Sequence, residues 1–188
     1  MKNKIFKHED KQKMKKEISN LNDFLMLATE VLKTTQKGYR EAIKYVYSDE
    51  ENLAVTDGSI LITMDKTTED IAPGFYNVAK IGKELTLIPS NFEGKYPNYK
   101  MVTPDYTSKV LEVAFTKTEY MNNLIKLQDI TIKYCGGYVA ETYFELLKKS
   151  ELTYQVFAPE KECGKEERYP VLFKSNKLTI VVMPKTIK

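Results

Sequence analysis

The side chains able to do chemistry in this 188-residue chain are few and scattered. Its one histidine, His8, stands in a lysine-rich terminus, so no nucleophile, base and orienting acid can be assembled around an imidazole. Cys135 and Cys163 have no partner spacing for zinc. Two free thiols in a chain without a secretion signal point to the cytoplasm, and a disulfide between them stays open on sequence grounds. Asp57, Asp65, Glu69 and Asp70 could suggest a divalent-metal cluster, but no ligand spacing repeats, and a solvated acidic loop is the favoured reading. Gly136-Gly137 precedes a helical pattern without a GxGxxG fingerprint or a P-loop lysine, which leaves phosphate cradling a weak reading. No catalytic constellation emerges. The expectation is a non-enzymatic protein with no cofactor and no metal, and a hydrolase built on clustered carboxylates is the least favoured class.

Composition is that of a globular protein, with 42% apolar and 29% charged residues. Net charge is only +3, so the molecule as a whole is no polycation, and nucleic-acid contact would need lysines gathered on one face. No apolar run approaches the roughly 18 residues of a membrane helix. Thirteen tyrosines favour half-buried sheet surfaces, where a ring packs and its hydroxyl stays wet.

The elements that must position any site follow from periodicity. Met14, Ile18, Leu21, Leu25, Ala28 and Leu32 recur at helical spacing and predict a helix from about Leu21 to Thr34, extending back to about Asp10. Strand patterns follow at Glu41–Tyr47, Leu53–Thr56 and Ser59–Met64, the last two joined by the hairpin signal Asp57-Gly58. Phe75–Ile81 and Glu84–Pro89 pair across Gly82-Lys83. The segment from Gly94 to Pro104 carries Pro97 and Pro104, which bias it to extended backbone, and it reads as a stiff joint between two units, 1–104 and 105–188. Beyond it the pattern restarts. Val110–Phe115 alternates as a strand, Thr116-Lys117-Thr118-Glu119 has capping-box form, and Tyr120, Leu124 and Leu127 give a short helix. Asp129–Tyr134 reads as a strand, Tyr138–Lys149 as a helix, and Leu152–Phe157, Tyr169–Lys174 and Leu178–Met183 as closing strands. Lys161–Arg168 reads as a mobile charged loop.

Three of these segments carry a family resemblance. Leu53-Ala54-Val55-Thr56-Asp57-Gly58-Ser59-Ile60-Leu61 resembles the "ATDG-x-RL" hairpin of the bacterial DNA sliding clamp, the beta subunit of DNA polymerase III. Gly94 to Pro104 is similar to that family's "G-[RK]-[FY]-P-[DN]-Y-x-x-[VL]-x-P" junction between its second and third domains. Leu178-Thr179-Ile180-Val181-Val182-Met183-Pro184-Lys185 is similar to its closing "VVMP" strand and tail. The resemblance covers roughly Leu21 to Lys188 and implies an α+β, DNA-clamp-like fold of two reduced units, each a helix packed on an antiparallel β-meander.

In the family these segments converge on an apolar groove that receives short linear peptides from polymerases, the clamp loader and repair proteins. Carried over, the resemblance implies a groove lined by Thr56, Gly58, Ile60 and Leu61 from the hairpin, Pro97, Met101 and Val102 from the junction, and Val182, Met183 and Pro184 from the C-terminal strand. Aliphatic walls and an adaptable Met suit a Leu or Phe anchor, and two buried anchors at about 1.5–3 kcal/mol each imply micromolar, exchangeable binding. The family also slides on duplex DNA through cationic helices, without reading bases. The corresponding candidates are Lys33, Lys37, Arg40, Lys117, Lys126, Lys148 and Lys149, although a helix-end charge that complements the dipole is the favoured reading of each.

The departures are specific. Ser59 and Ile60 stand where the family carries a basic or histidine rim, the family's first domain has no counterpart, and the first unit lacks a second helix. Six-domain ring arithmetic would make a two-unit chain a homotrimer if it closes. The resulting expectation is a cytoplasmic clamp-like replication or repair accessory protein that tethers polymerase or repair partners to duplex DNA. The alternative is a non-ring interaction module, of phage or mobile-element type, that binds clamp-binding peptides and modulates a replisome.

Overall fold

The computed structural model describes residues 8–35, 40–66, 71–114, 120–164, 167–176 and 178–186, with the backbone alone described at 8–19 and 120. Aliphatic residues at helical spacing build a long first helix, α1 (His8–Thr35), which buries Phe24, Leu25, Leu27, Ala28 and Val31. The expected strand at Glu41–Tyr47 is instead a 3-10 turn, Glu41–Lys44, leading into a short β1 (Val46–Ser48). The three-residue repeat of that turn places Lys44 Nζ 2.6 Å from Glu41 Oε2, while Ile43 goes inward. β2 (Asn52–Thr56) and β3 (Ile60–Asp65) form the hairpin predicted around Asp57-Gly58. β4 (Gly74–Ile81) and β5 (Glu84–Pro89) form the second, with Gly82 at φ +62° in its two-residue turn.

The chain then crosses to β6 (Lys109–Ala114), α2 (Tyr120–Cys135), α3 (Glu141–Lys149), β7 (Thr153–Phe157), β8 (Val171–Ser175) and β9 (Leu178–Val182). The expected strand Asp129–Tyr134 is the second half of α2. Ile130-Thr131-Ile132 has strand-type branching, and sequence alternation there mimics a strand. Burial decides otherwise: Leu127, Thr131 and Cys135 are buried at four-residue spacing, while Ile132 is 46% exposed. Gly136, at φ +73°, ends the helix in the left-handed conformation of a C-terminal cap. The last helix begins at Glu141 rather than Tyr138, because Tyr138 pairs with Lys185 as an isolated bridge. The expected capping box at Thr116–Glu119 lies outside the described residues.

The nine strands of the described residues join one antiparallel sheet in the order β5-β4-β1-β2-β3-β9-β8-β7-β6. The strands before and after the proline-rich segment meet at β3·β9, where Ile60 pairs with Val182 and Met64 with Leu178. The fold is α+β. One sheet face carries α1, α3 and α2 over a core that includes Phe24, Leu53, Ile62, Phe144, Tyr154, Phe173 and Ile180. No described helix is long and apolar enough to cross a membrane.

The opposite face is covered by the chain itself. β5 and β6 are the two edge strands, so residues 90–108 must traverse the whole sheet. Eight interstrand gaps of about 4.8 Å make that about 38 Å, within reach of nineteen residues held largely extended. Rings mark the path. Phe92 stacks on Tyr45 at 5.0 Å, Tyr96 stacks on Tyr47 at 4.8 Å, and the Tyr106 hydroxyl donates to Pro170 O at 3.1 Å. The stretch from Gly94 to Pro104 is therefore part of a strap across the sheet.

Candidate peptide-docking surface at the hairpin and C-terminal strand

Asp57 organises this end of the molecule. Its Oδ1 accepts the Ser59 and Ile60 amides at 2.8 and 2.9 Å, closing the turn in which Gly58 takes φ +92°. Its Oδ2 accepts the Thr34 hydroxyl at the end of α1 (3.2 Å) and the Tyr143 hydroxyl of α3 (3.3 Å). Thr56 Oγ1 donates to Ile60 O at 2.7 Å and accepts the Gly58 amide at 3.0 Å. One carboxylate thus ties two helices to the hairpin. Asp65 sits at the other end of β3, so no metal pair forms with Asp57, and Glu69 and Asp70 lie outside the described residues.

The C-terminal strand is laid against this turn. The Met183 amide donates to Ser59 O at 2.9 Å, and Lys185 and Tyr138 exchange backbone bonds of 2.8 and 3.1 Å. Gly137 permits that approach, since a Cβ there would stand 2.3 Å from Lys185 O. The Gln128 side-chain amide clasps Val139 at both N and O, fixing the α2–α3 link beneath the tail. Pro184 is buried, whereas Met183 is 40% exposed and Tyr138 39%.

Strand alternation sorts the candidate groove residues by face. Thr56, Gly58, Met183 and Pro184 come together at this seam. Leu61 points to the strap face, where it joins Tyr96, Tyr99, Leu172 and Val181. Ile60 and Val182 point the other way, into the core beneath the helices. Pro97 is half-buried beside Tyr96 in the strap. Met101 and Val102, 81% and 55% exposed, ride on a 3-10 turn (Tyr99–Val102) anchored at the opposite end of β2 from Gly58. The anchor is the Tyr99 hydroxyl donating to Asp49 Oδ2, with Lys100 Nζ bridging Asp49 and Glu51 at 3.3 and 2.8 Å. Burial alone would raise the Asp49 carboxyl. Bonds from Tyr99, from the Asn52 and Glu51 amides and from Lys100 outweigh it and hold the group at about 2. The Tyr96 hydroxyl is buried beside the Thr56 amide, yet no partner completes a hydrogen bond of good geometry, and burial pushes its pKa well up.

Sequence reasoning overlooked Val181, Tyr138 and Tyr143. Period-two alternation back from Met183 points to Val181. Nothing local in the sequence marks Tyr138, which arrives through a bridge between residues 47 positions apart. Behind the seam, α1, the Asp57 turn and α3 border an open cleft of about 370 Å³ with Val31, Ile60, Tyr143 and Leu146 in its walls. Glu30 and Lys149, paired at 2.7 Å, stand at its rim.

Three of the five described cationic candidates are engaged with carboxylates. Lys33 and Lys149 both bond Glu30, at 2.6 and 2.7 Å, and those two lysines hold the Glu30 carboxyl below its usual range. Lys148 lies 3.8 Å from Glu145. Lys126 and Arg40 are exposed, the former beside Glu112, Asn122 and Thr153 in a polar depression. Lys37 and Lys117 lie outside the described residues. From Asn20 onward the three helices carry five lysines (33, 126, 133, 148 and 149) and five carboxylates (23, 30, 129, 141 and 145), so that face is balanced in charge.

No protein-family model matches the chain, and no curated relative matches it. Among solved structures, the chain is similar to a protein from Eubacterium rectale described as a DNA polymerase III beta subunit, at 7% identity and a TM-score of 0.44, covering 90% of this chain and 63% of that one. It is also similar to the DNA polymerase beta subunit of Streptococcus pyogenes (11% identity, TM-score 0.41, 89% and 64% covered). The DNA polymerase III beta chain of Streptococcus pneumoniae gives 11% identity and a TM-score of 0.40, with 89% and 64% covered. The chain spans slightly under two thirds of each of those proteins.

Proposed function

We propose that this chain is a sliding-clamp-type accessory protein of DNA replication or repair, which holds partner proteins through short linear peptides and associates with duplex DNA without reading sequence. The observation that carries the reading is the meeting of two motif segments more than a hundred residues apart. The Thr56-Asp57-Gly58-Ser59 turn and the Val182-Met183-Pro184 strand end join through the Met183 amide and Ser59 O. Their residues match the hairpin and closing strand of the clamp family, and the exposed Met183 and Tyr138 offer an apolar ledge beside them. Peptide anchors would seat against the exposed Met183 and Tyr138, giving micromolar binding suited to exchange. Titrating a fluorescein-labelled clamp-binding peptide against the wild type and Met183→Asp tests this. At least a tenfold loss in the variant supports the groove, and equal affinity removes it.

The charge balance of the helix face favours a second reading, an interaction module that binds such peptides without a DNA-encircling ring. The open edge strands β5 and β6 leave ring closure available to repeated copies. Light scattering separates the two: a trimer supports the ring, and a strict monomer that never assembles on DNA supports the module.

A further inference from the structure

α2 carries an apolar ridge that the fold leaves uncovered. Met121, Ile125 and Ile132 are 62%, 56% and 46% exposed, and at 100° per residue they fall within about 40° of one another. The helix already has a core face elsewhere, where Leu127, Thr131 and Cys135 are buried. Single exposed aliphatics are ordinary on a folded surface. Three large ones aligned along one helix face make a continuous ridge of about 17 Å.

The two flanks of the ridge differ. On one side Gln128 is half-buried, its side-chain amide clasped to Val139 N and O at 3.1 and 2.8 Å, so that flank leans on the link to α3. The other side is exposed and carries Lys126 and Asp129, one positive and one negative. Neither enters an ion pair among the described residues, whereas Lys133 on the same flank meets Glu162 at 3.0 Å.

A second copy of the same helix, run antiparallel about a two-fold axis, satisfies both features in one register. In such a pair like flanks meet, and every contact is made twice. With the axis midway between Lys126 and Asp129, Lys126 of each copy stands opposite Asp129 of the other. The same axis drops Ile132 of one copy between Met121 and Ile125 of the other, and Ile125 between Gln128 and Ile132. One alignment thus yields both the opposite charges and the interdigitated aliphatics. Sliding the copies by one turn in either direction sets Lys126 against Lys126 or Asp129 against Asp129, which disfavours the neighbouring registers. The charge balance of the helix face described above removes net repulsion between two such faces.

From this complementarity we propose that α2 is an isologous interface with a second copy of this chain, packed through the Met121, Ile125 and Ile132 ridge and aligned by Lys126–Asp129 pairs. The proposal goes beyond the tethering role and does not depend on it. A single helix pair lies at the low end of specific interfaces, which makes the association micromolar and concentration-dependent. An isologous contact closes at two copies, so the product is a dimer and not a ring.

Sedimentation equilibrium of the full-length protein between about 5 and about 200 µM tests this, with circular dichroism showing that each variant is folded. Wild type is expected to pass from monomer to dimer across that range. Ile132→Asp should weaken dimerisation at least tenfold, since it buries a charge between apolar side chains. Lys126→Asp and Asp129→Lys should each weaken it about tenfold, because either one sets like charges against each other at both symmetry-related positions. An equimolar mixture of those two variants should form a heterodimer within about threefold of wild-type affinity, every facing pair being opposite in sign again. An unfolded variant cannot give that rescue. A wild type that stays monomeric at about 200 µM overturns the proposal and leaves the ridge to a different protein or a membrane surface. Self-association that Ile132→Asp does not weaken, a trimer included, also overturns it, as does a mixture no tighter than its components. The Met183→Asp peptide titration reads a different surface, so a failure of the groove and a failure of this interface are told apart.

Discussion

Replacing Asp57 separates a structural carboxylate from a chemical one. Its four accepted hydrogen bonds divide cleanly: Oδ1 holds the Ser59 and Ile60 amides at 2.8 and 2.9 Å, and Oδ2 holds the Thr34 and Tyr143 hydroxyls at 3.2 and 3.3 Å. A net contribution of about 0.5–1.5 kcal/mol per bond, with the two longer bonds at the low end, makes Asp57→Ala destabilising by about 2–4 kcal/mol. Asp57→Asn keeps an acceptor for the two amides and leaves the hydroxyls only an amide NH2, so it should cost about 1–2 kcal/mol. Urea unfolding followed by circular dichroism measures both. The Asn variant should fall between wild type and Ala, with unchanged slope and a lower midpoint. Thermal midpoints should drop by roughly 4–16 °C for Ala, at about 2–4 °C per kcal/mol in a chain of this size. Equal loss for Asn and Ala would refute the division of labour between the oxygens. A loss under about 0.5 kcal/mol for Ala would refute the keystone role itself.

The strap and the two corrected elements give further tests. Tyr99→Phe removes the hydroxyl that lowers Asp49. The wild-type contribution is fully present above the ordinary carboxylate range near pH 4 and is lost as pH falls towards about 2, so acid unfolding of the variant should begin at higher pH. Coincident acid-unfolding curves would contradict the anchor. Gly137→Ala places a methyl 2.3 Å from Lys185 O and should cost about 1–3 kcal/mol while loosening the tail, read as faster amide exchange at Lys185. Leu127→Ala should cost about 2–5 kcal/mol and Ile132→Ala under about 1, because the first is buried in α2 and the second exposed; similar costs would argue against the helical register.

Hairpins were the most legible part of the sequence. Glu84–Pro89 is β5 residue for residue, and Asp57-Gly58 fixed the turn between β2 and β3. Both rest on local turn chemistry that needs no tertiary partner. The second half of α2 was not legible, because β-branched Ile130, Thr131 and Ile132 favour strands locally and only the burial of Leu127, Thr131 and Cys135 on one face selects the helix. At the candidate site, the motifs named the right segments but not their faces. Ile60 and Leu61 are neighbours in sequence and point to opposite sides of the sheet, so a contiguous motif cannot line one groove with every residue. The strap was legible as stiff and extended. That it crosses the whole sheet follows only from β5 and β6 lying at opposite edges, a topological fact set by the β3·β9 pairing.

The central claim is that peptide partners dock where the Asp57 turn meets the C-terminal strand. Backbone amide chemical shifts of 15N-labelled protein, followed while an unlabelled clamp-binding peptide is added, test it directly. The account predicts the largest changes at Gly58, Ser59, Tyr138 and Met183, with Ile81 on the β4–β5 hairpin unmoved. Shifts confined to other surfaces, or none at saturating micromolar peptide, would contradict it.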